Sequence, residues 1–190
     1  MNLLTRALLA TLAVVPLSPV YGTLVPRLSF AELVGQSEVV VQGQVVSVRV
    51  AWDADHASLW THYEVQVDDT LKGTQGPMLA IQEPGGELDG VRMEIVGAPH
   101  YELGEEVVIF ASRTPLGLRT CGWGQGRFVI EGAVGQKRVR NDQGAIQLVS
   151  PRGKWLPARA SSLLDEGLAA FKQRIRTEAA RQAASKQGSL

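Results

Sequence analysis

The sequence predicts an all-β fold, β-rich with a short N-terminal helix and a C-terminal amphipathic helix, and three observations carry that prediction. From Glu38 to Val149, runs of β-branched and aromatic residues are punctuated by Gly, Pro, Asn and Asp, which yields seven or eight short strands. Near the C-terminus, Leu164, Leu168, Phe171 and Ile175 are spaced by four, three and four, one stripe of an α-helix. A single Cys among 190 residues rules out an internal disulfide framework and a four-cysteine zinc site, so the strands must close on a packed core. Strands this short and numerous suit a small closed or nearly closed β barrel, with a β sandwich as the alternative.

Residues 1–22 read as a signal peptide. Arg6 supplies the charge of a short n-region, and Thr11 is the only polar residue in the nine from Ala7 to Val15. Pro16 and Pro19 then break any helix before the small Gly22. The apolar run is far shorter than the roughly 20 residues of a membrane span. The expectation is an exported chain, periplasmic or secreted, of 168 residues from Thr23, with no Cys near the cleavage region to carry a lipid and no later transmembrane segment. The remainder divides into a β-barrel domain, 23–150, and a segment 151–190 holding a crossing, the C-terminal helix and a basic tail.

Ser29 followed by Glu32 fits a capping box, and Gly35 suits the end of a helix over 29–36. Glu38–Val50 reads as a long strand whose apolar parity slips at Gly43, where a Cβ-free residue lets a strand bulge or coil. Leu59, Thr61, Tyr63, Val65 and Val67 alternate with polar neighbours and form the inward face of a second strand, closed by Leu71-Lys72-Gly73. Further strands are expected at Met78–Gln82, Val91–Val96, Glu106–Ser112 and Arg127–Glu131. A hairpin is expected between 137–140 and 145–149, turning at Asn141–Gly144. Pro151 and Pro157 mark the crossing, after which Ser161 or Ser162 caps a helix with Asp165 and Glu166 in its first turn.

Charge separates the same parts. The net charge of zero is the sum of +1 in the leader, 10 basic against 16 acidic side chains over 23–150, and 8 basic against 3 acidic over 151–190. An acidic body argues against nucleic-acid binding. Lys172, Arg174, Arg176 and Arg181 cluster in the C-terminal helix, where they complement its dipole. They are free to meet an acidic surface, whether a partner's or the protein's own.

Glu38-Val-Val-Val-Gln-Gly-Gln-Val-Val-Ser-Val followed by Tyr63-Glu-Val-Gln-Val-Asp-Asp-Thr-Leu-Lys-Gly73 resembles the opening strands of netrin-like domains, the OB-fold group that includes the tissue inhibitors of metalloproteases. The order also resembles uncharacterised exported bacterial proteins with a Pro-Gly-Gly-Glu turn, here Pro84–Glu87, and a later Gly-Glu-Glu-Val-Val-Ile-Phe, here Gly104–Phe110. The likeness covers roughly half of the chain after residue 22 and implies an OB-like barrel. It does not imply the inhibitors' mechanism, in which an N-terminal cysteine reaches the protease zinc, because this chain would begin Thr23-Leu24-Val25. An inhibitor-like role would need another contact.

The residues offer few chemistries. Gly122-Trp123-Gly124-Gln125-Gly126 is rich in glycine, but a strand follows where a phosphate loop would open a helix, so a turn is the expected structure. Trp123 lies between glycines with little local packing, and Trp52 and Trp60 bracket the first long loop. With Gln125 and Arg127 they are the candidate binding residues. Glu83, Glu87 and Asp89 are weak candidates for a calcium ion, and no cofactor is indicated. His56, His62 and His100 share no metal-ligand spacing, and Cys121 reads as a buried small hydrophobe. The expected function is an exported, non-enzymatic binding or accessory domain acting through its loops on a protein or carbohydrate partner. The alternative is an envelope hydrolase or metal-dependent enzyme, which requires a histidine to converge with a carboxylate or Cys121 in a cleft.

Overall fold

The computed structural model describes residues 24–141, 147–149 and 165–188. The expected leader over 1–22 lies outside these residues, as do Ser161, Ser162 and Leu164.

Strand β1 (Leu24–Pro26) leads into helix α1 (Phe30–Gln36), whose capping box is complete. The Ser29 hydroxyl accepts the Glu32 N–H at 3.2 Å and the Glu32 carboxylate accepts the Ser29 N–H at 2.7 Å. Then follow β2 (Val39–Trp52), β3 (Leu59–Lys72), β4 (Met78–Pro84), β5 (Gly86–Leu88), β6 (Val91–Met93), β7 (Glu106–Thr114) and β8 (Gly117–Thr120). A 3₁₀ turn at Trp123–Gly126 precedes β9 (Arg127–Glu131), β10 (Arg138–Arg140), β11 (Gln147–Val149), β12 (Asp165–Gly167) and helix α2 (Leu168–Gln187). No helix among the described residues is long and apolar enough to cross a membrane.

The main sheet is antiparallel throughout, in the order β12-β10-β9-β7-β2-β3-β4, with β8 also paired to β7. Its centre is buried on both faces because inward residues alternate strictly between two cores. On one face, Val40, Val108, Phe110, Phe128, Ile130 and Val139 pack under α1 and α2, which contribute Leu33, Val34, Phe171 and Ile175. Four phenylalanines, Phe30, Phe110, Phe128 and Phe171, meet here with ring centroids 4.8–6.4 Å apart. On the other face the sheet curls over Val39, Val41, Val45, Tyr63, Val65, Leu79, Ile81, Tyr101, Val107 and Ile109. Gly43 permits the curl: a Cβ there would stand 2.2 Å from the Gln66 carbonyl oxygen, and the β2–β3 register shifts beside it.

At the far margin β4 lies alongside β8 without a backbone ladder among the described residues. Side chains bridge the seam instead. Glu83 Oε1 accepts the Thr120 N–H at 2.7 Å, and the Gln82 amide donates to the Leu116 carbonyl.

Three expectations are corrected. The run Val91–Val96 is a strand only to Met93, and it pairs with β5 in a separate two-stranded sheet turning at Asp89-Gly90. The hairpin over 137–149 does not form: β10 pairs with β9 and β12, and β11 pairs in parallel with β1. Asn141, read as a turn residue, is buried, and its amide donates to the carbonyls of Gly124, Gln125 and Arg127 at 2.8–3.3 Å. The C-terminal helix starts later than its charges suggest. Asp165 and Glu166 lie in β12, where pairing with β10 satisfies the backbone and Arg138 Nε reaches Asp165 at 2.6 Å.

Candidate functional site

A cleft of about 750 Å3 opens where the curled sheet ends. Its floor is strand-built: Val48 and Val50 come from β2, Thr61 and Tyr63 from β3, and Glu83 from β4. The parity that buries Leu59, Tyr63 and Val65 also directs Thr61 and Tyr63 inward, and Thr61 stands directly across from Glu83 in the ladder. The opposing wall is the run Arg92–His100, and Arg127 closes the inner end. Gly86 brings the chain against this floor; a Cβ would meet a Val50 methyl at 2.7 Å and Thr61 Oγ1 at 2.9 Å, and its φ of +143° disfavours any other residue. The Thr61 hydroxyl donates to the Gly85 carbonyl at 2.7 Å and fixes the same approach.

Glu83 is the chemical centre of the floor. It is 1% exposed, and burial pushes its carboxyl up to about 7, against the lowering effect of the Thr120 N–H and of Arg119. Both oxygens are engaged, Oε1 by Thr120 and Oε2 by Arg119 at 3.3 Å. Arg119 lies between two indoles, 5.5 Å from the Trp60 ring and 5.3 Å from the Trp123 ring, so a cation–π clip joins the cleft floor to the outer surface. Trp123 adopts φ +60°, a left-handed backbone uncommon for an aromatic residue. Deeper in, the Tyr101 hydroxyl meets Thr120 Oγ1 at 2.6 Å, and burial raises the Tyr63 and Tyr101 hydroxyls above the usual phenol range. Arg127 pairs with Glu105 and stacks 5.3 Å from the Tyr101 ring.

Of the expected binding residues, Trp60 and Trp123 are brought together through Arg119, and Arg127 lines the cleft. Trp52 sits at the end of β2 against His56, with ring centroids 6.0 Å apart. Gln125 is buried and works internally: it accepts the Leu28 N–H at 2.8 Å and donates to Pro26 and Gly122 carbonyls at 3.0 and 3.1 Å. The carboxylate trio forms no cage, since Glu83 is committed to Thr120 and Arg119, and no group of three potential ligands gathers among the described residues. Nor do the histidines converge. His56 stacks on Trp52, His100 Nδ1 lies 3.3 Å from the Tyr63 hydroxyl, and His62 is lowered by burial and by Arg49. Among the described residues no histidine forms an ion pair with a carboxylate. Cys121 is buried beside Ser37 and Ser112, and burial raises its thiol, the opposite of an activated nucleophile.

Sequence reasoning named neither Arg119 nor Tyr101 as a site residue, and it weighed Glu83 as a metal ligand and among the loop carboxylates of the enzyme alternative. A signal for Glu83 exists: Leu79, Ile81 and Glu83 share one parity, which places a carboxylate at an inward position.

The basic helix also finds its acidic surface within the chain. Lys172 and Arg176 both engage Asp69 of β3, Arg174 reaches Glu166 at 3.1 Å, and Arg181 reaches Glu178 at 2.6 Å.

Compared with protein-family profiles, curated proteins and solved structures, the chain matches none.

Proposed function

We propose that this chain is an exported, non-catalytic binding module, periplasmic or secreted, that receives a protein or carbohydrate partner at the cleft beside the Trp60–Arg119–Trp123 clip. The reading rests on one observation above the others: an open cleft of about 750 Å3 sets Val48, Val50, Ile95, Val96 and the Tyr63 ring among a few polar groups, and the clip adjoins it through the Arg119–Glu83 bond. Ligand sites commonly have this composition. The polar groups on the floor already have partners in the surrounding chain, which suits recognition better than proton transfer; Glu83, the group best placed for acid–base work, has both oxygens bonded.

The architecture we propose is an OB-like, netrin-like barrel. Its support is the coil of β2 at Gly43 and the approach of β4 to β8, where Glu83 and Gln82 stand in for a backbone ladder. The apolar, proline-ended leader supports export.

Titration of the chain with neutral oligosaccharides and with a mixed peptide pool, followed by tryptophan emission, tests the function. The expected result is a saturable change with at least one class, reduced in amplitude by Trp123→Phe, and recovery of the ligand intact. Recovery of a cleaved or otherwise altered ligand overturns the reading in favour of an enzyme.

A further inference from the structure

Strand β2 is paired on its two sides to very different extents. Its ladder with β3 runs from Val40 to Trp52, but its ladder with β7 covers only Val39–Gln44. One further backbone pair, Val45 N–H to Glu105 O and Gly104 N–H to Val45 O, ends that side. From Val46 to Trp52 the second edge of β2 has no backbone partner among the described residues. From Ser47 onward the first edge is held by β3, after a register shift at Val46, and β3 is itself held by β4 along Trp60–Gln66. The result is a supported edge, open among the described residues, about 20 Å long at roughly 3.3 Å per residue.

A row of free N–H and C=O groups is best satisfied by another extended backbone. The side chains of this edge refine the occupant. Val48 and Val50 line the cleft, and Val48 is 38% exposed, so an added strand would find aliphatic neighbours toward the cleft. Arg49 has the opposite parity, is exposed, and stands across from His62. Because Arg49 is also the middle residue of Val46–Trp52, an antiparallel pairing of two copies centred on the run would set Arg49 against Arg49. Like charges placed directly opposite destabilise a sheet. The edge therefore disfavours a second copy and favours a strand carrying an acidic residue.

We propose that Val46–Trp52 is a strand-addition site that takes an extended peptide segment of a partner protein, with apolar side chains at alternate positions toward the cleft and an acidic side chain beside Arg49. This rests on the binding reading above and names its ligand.

The test is an immobilised array of random decapeptides probed with the full chain. Bound peptides are expected to alternate apolar residues and to carry Asp or Glu. N-methylation of every second backbone amide in such a peptide should weaken binding at least tenfold, with the intervening positions tolerant. Arg49→Glu, an exposed substitution that leaves the core untouched, should turn the preference from acidic to basic peptides. Uniform tolerance of N-methylation, or an unchanged preference in Arg49→Glu, overturns strand addition. So does self-association through this edge, seen as a dimer in sedimentation that Arg49→Glu alters. If the array stays blank while oligosaccharides still give a saturable tryptophan signal, strand addition fails and the binding reading stands; if both are blank, both fail.

Discussion

At the scale of single residues, Glu83 governs how the cleft responds to pH. Its carboxyl sits at about 7 in the folded chain and near 4.5 when unfolded, so the folded state holds the extra proton between those values. Stability from this group is therefore greatest below about pH 4.5, falls as the pH rises through about 7, and is lower by roughly 3 kcal/mol above it. Urea unfolding at pH 5 and pH 8 should show this fall in the native chain relative to Glu83→Gln, which removes the titration while keeping the shape. The difference between the two proteins is the useful quantity. Carboxylates such as Glu38, held low by Arg113, act in the opposite sense at acid pH. Arg119→Gln removes a cation that favours the ionised form and should move the Glu83 transition to higher pH, read as a displaced midpoint in tryptophan emission against pH. Arg119 could not be found from sequence. Its importance comes from lying between Trp60 and Trp123, which are 63 positions apart, and no local pattern encodes that meeting.

At the scale of elements, legibility follows the range of the forces involved. Helix α1 was readable because the Ser29–Glu32 capping box is closed within one turn. The inward face of β3 was readable because a period of two is a local property of the strand. Pairing is not local. The residues 137–140 and 145–149 suit the arms of one hairpin, yet 138–140 pair with β9 and β12 and 147–149 pair with β1 at the other end of the described chain, and Asn141 serves the 3₁₀ turn instead. The bulge at Gly43 is a case where pattern and packing agree. Gly43→Ala should cost on the order of 1–3 kcal/mol, measured by urea unfolding, because the new methyl group meets a backbone oxygen that cannot rotate away. In α2, Phe171→Ala removes a ring that touches Phe128, Phe110 and Phe30 and should cost roughly 3–5 kcal/mol.

For the whole molecule, the opposed charges of body and tail were visible in the sequence, but their use was not. The helix that carries the cations is part of the core: Phe171 and Ile175 are fully buried, and Lys172 and Arg176 fasten to Asp69. Burial works against ionised Asp69, yet bonds from Lys172 and Arg176 hold its carboxyl below the usual range. Removing residues 165–190 should therefore do more than alter charge. It takes away β12 and uncovers the aromatic face, and the expected outcome is binding of a hydrophobic dye and a broadened, weakly cooperative urea transition. The same covered face contains the thiol of Cys121, 2% exposed. With no other cysteine in the chain, that thiol is an intrinsic clock for opening of this core: the rate at which a thiol reagent labels the native protein counts how often the core opens far enough to expose it. A destabilisation of about 3 kcal/mol by Phe171→Ala should quicken labelling by roughly a hundredfold.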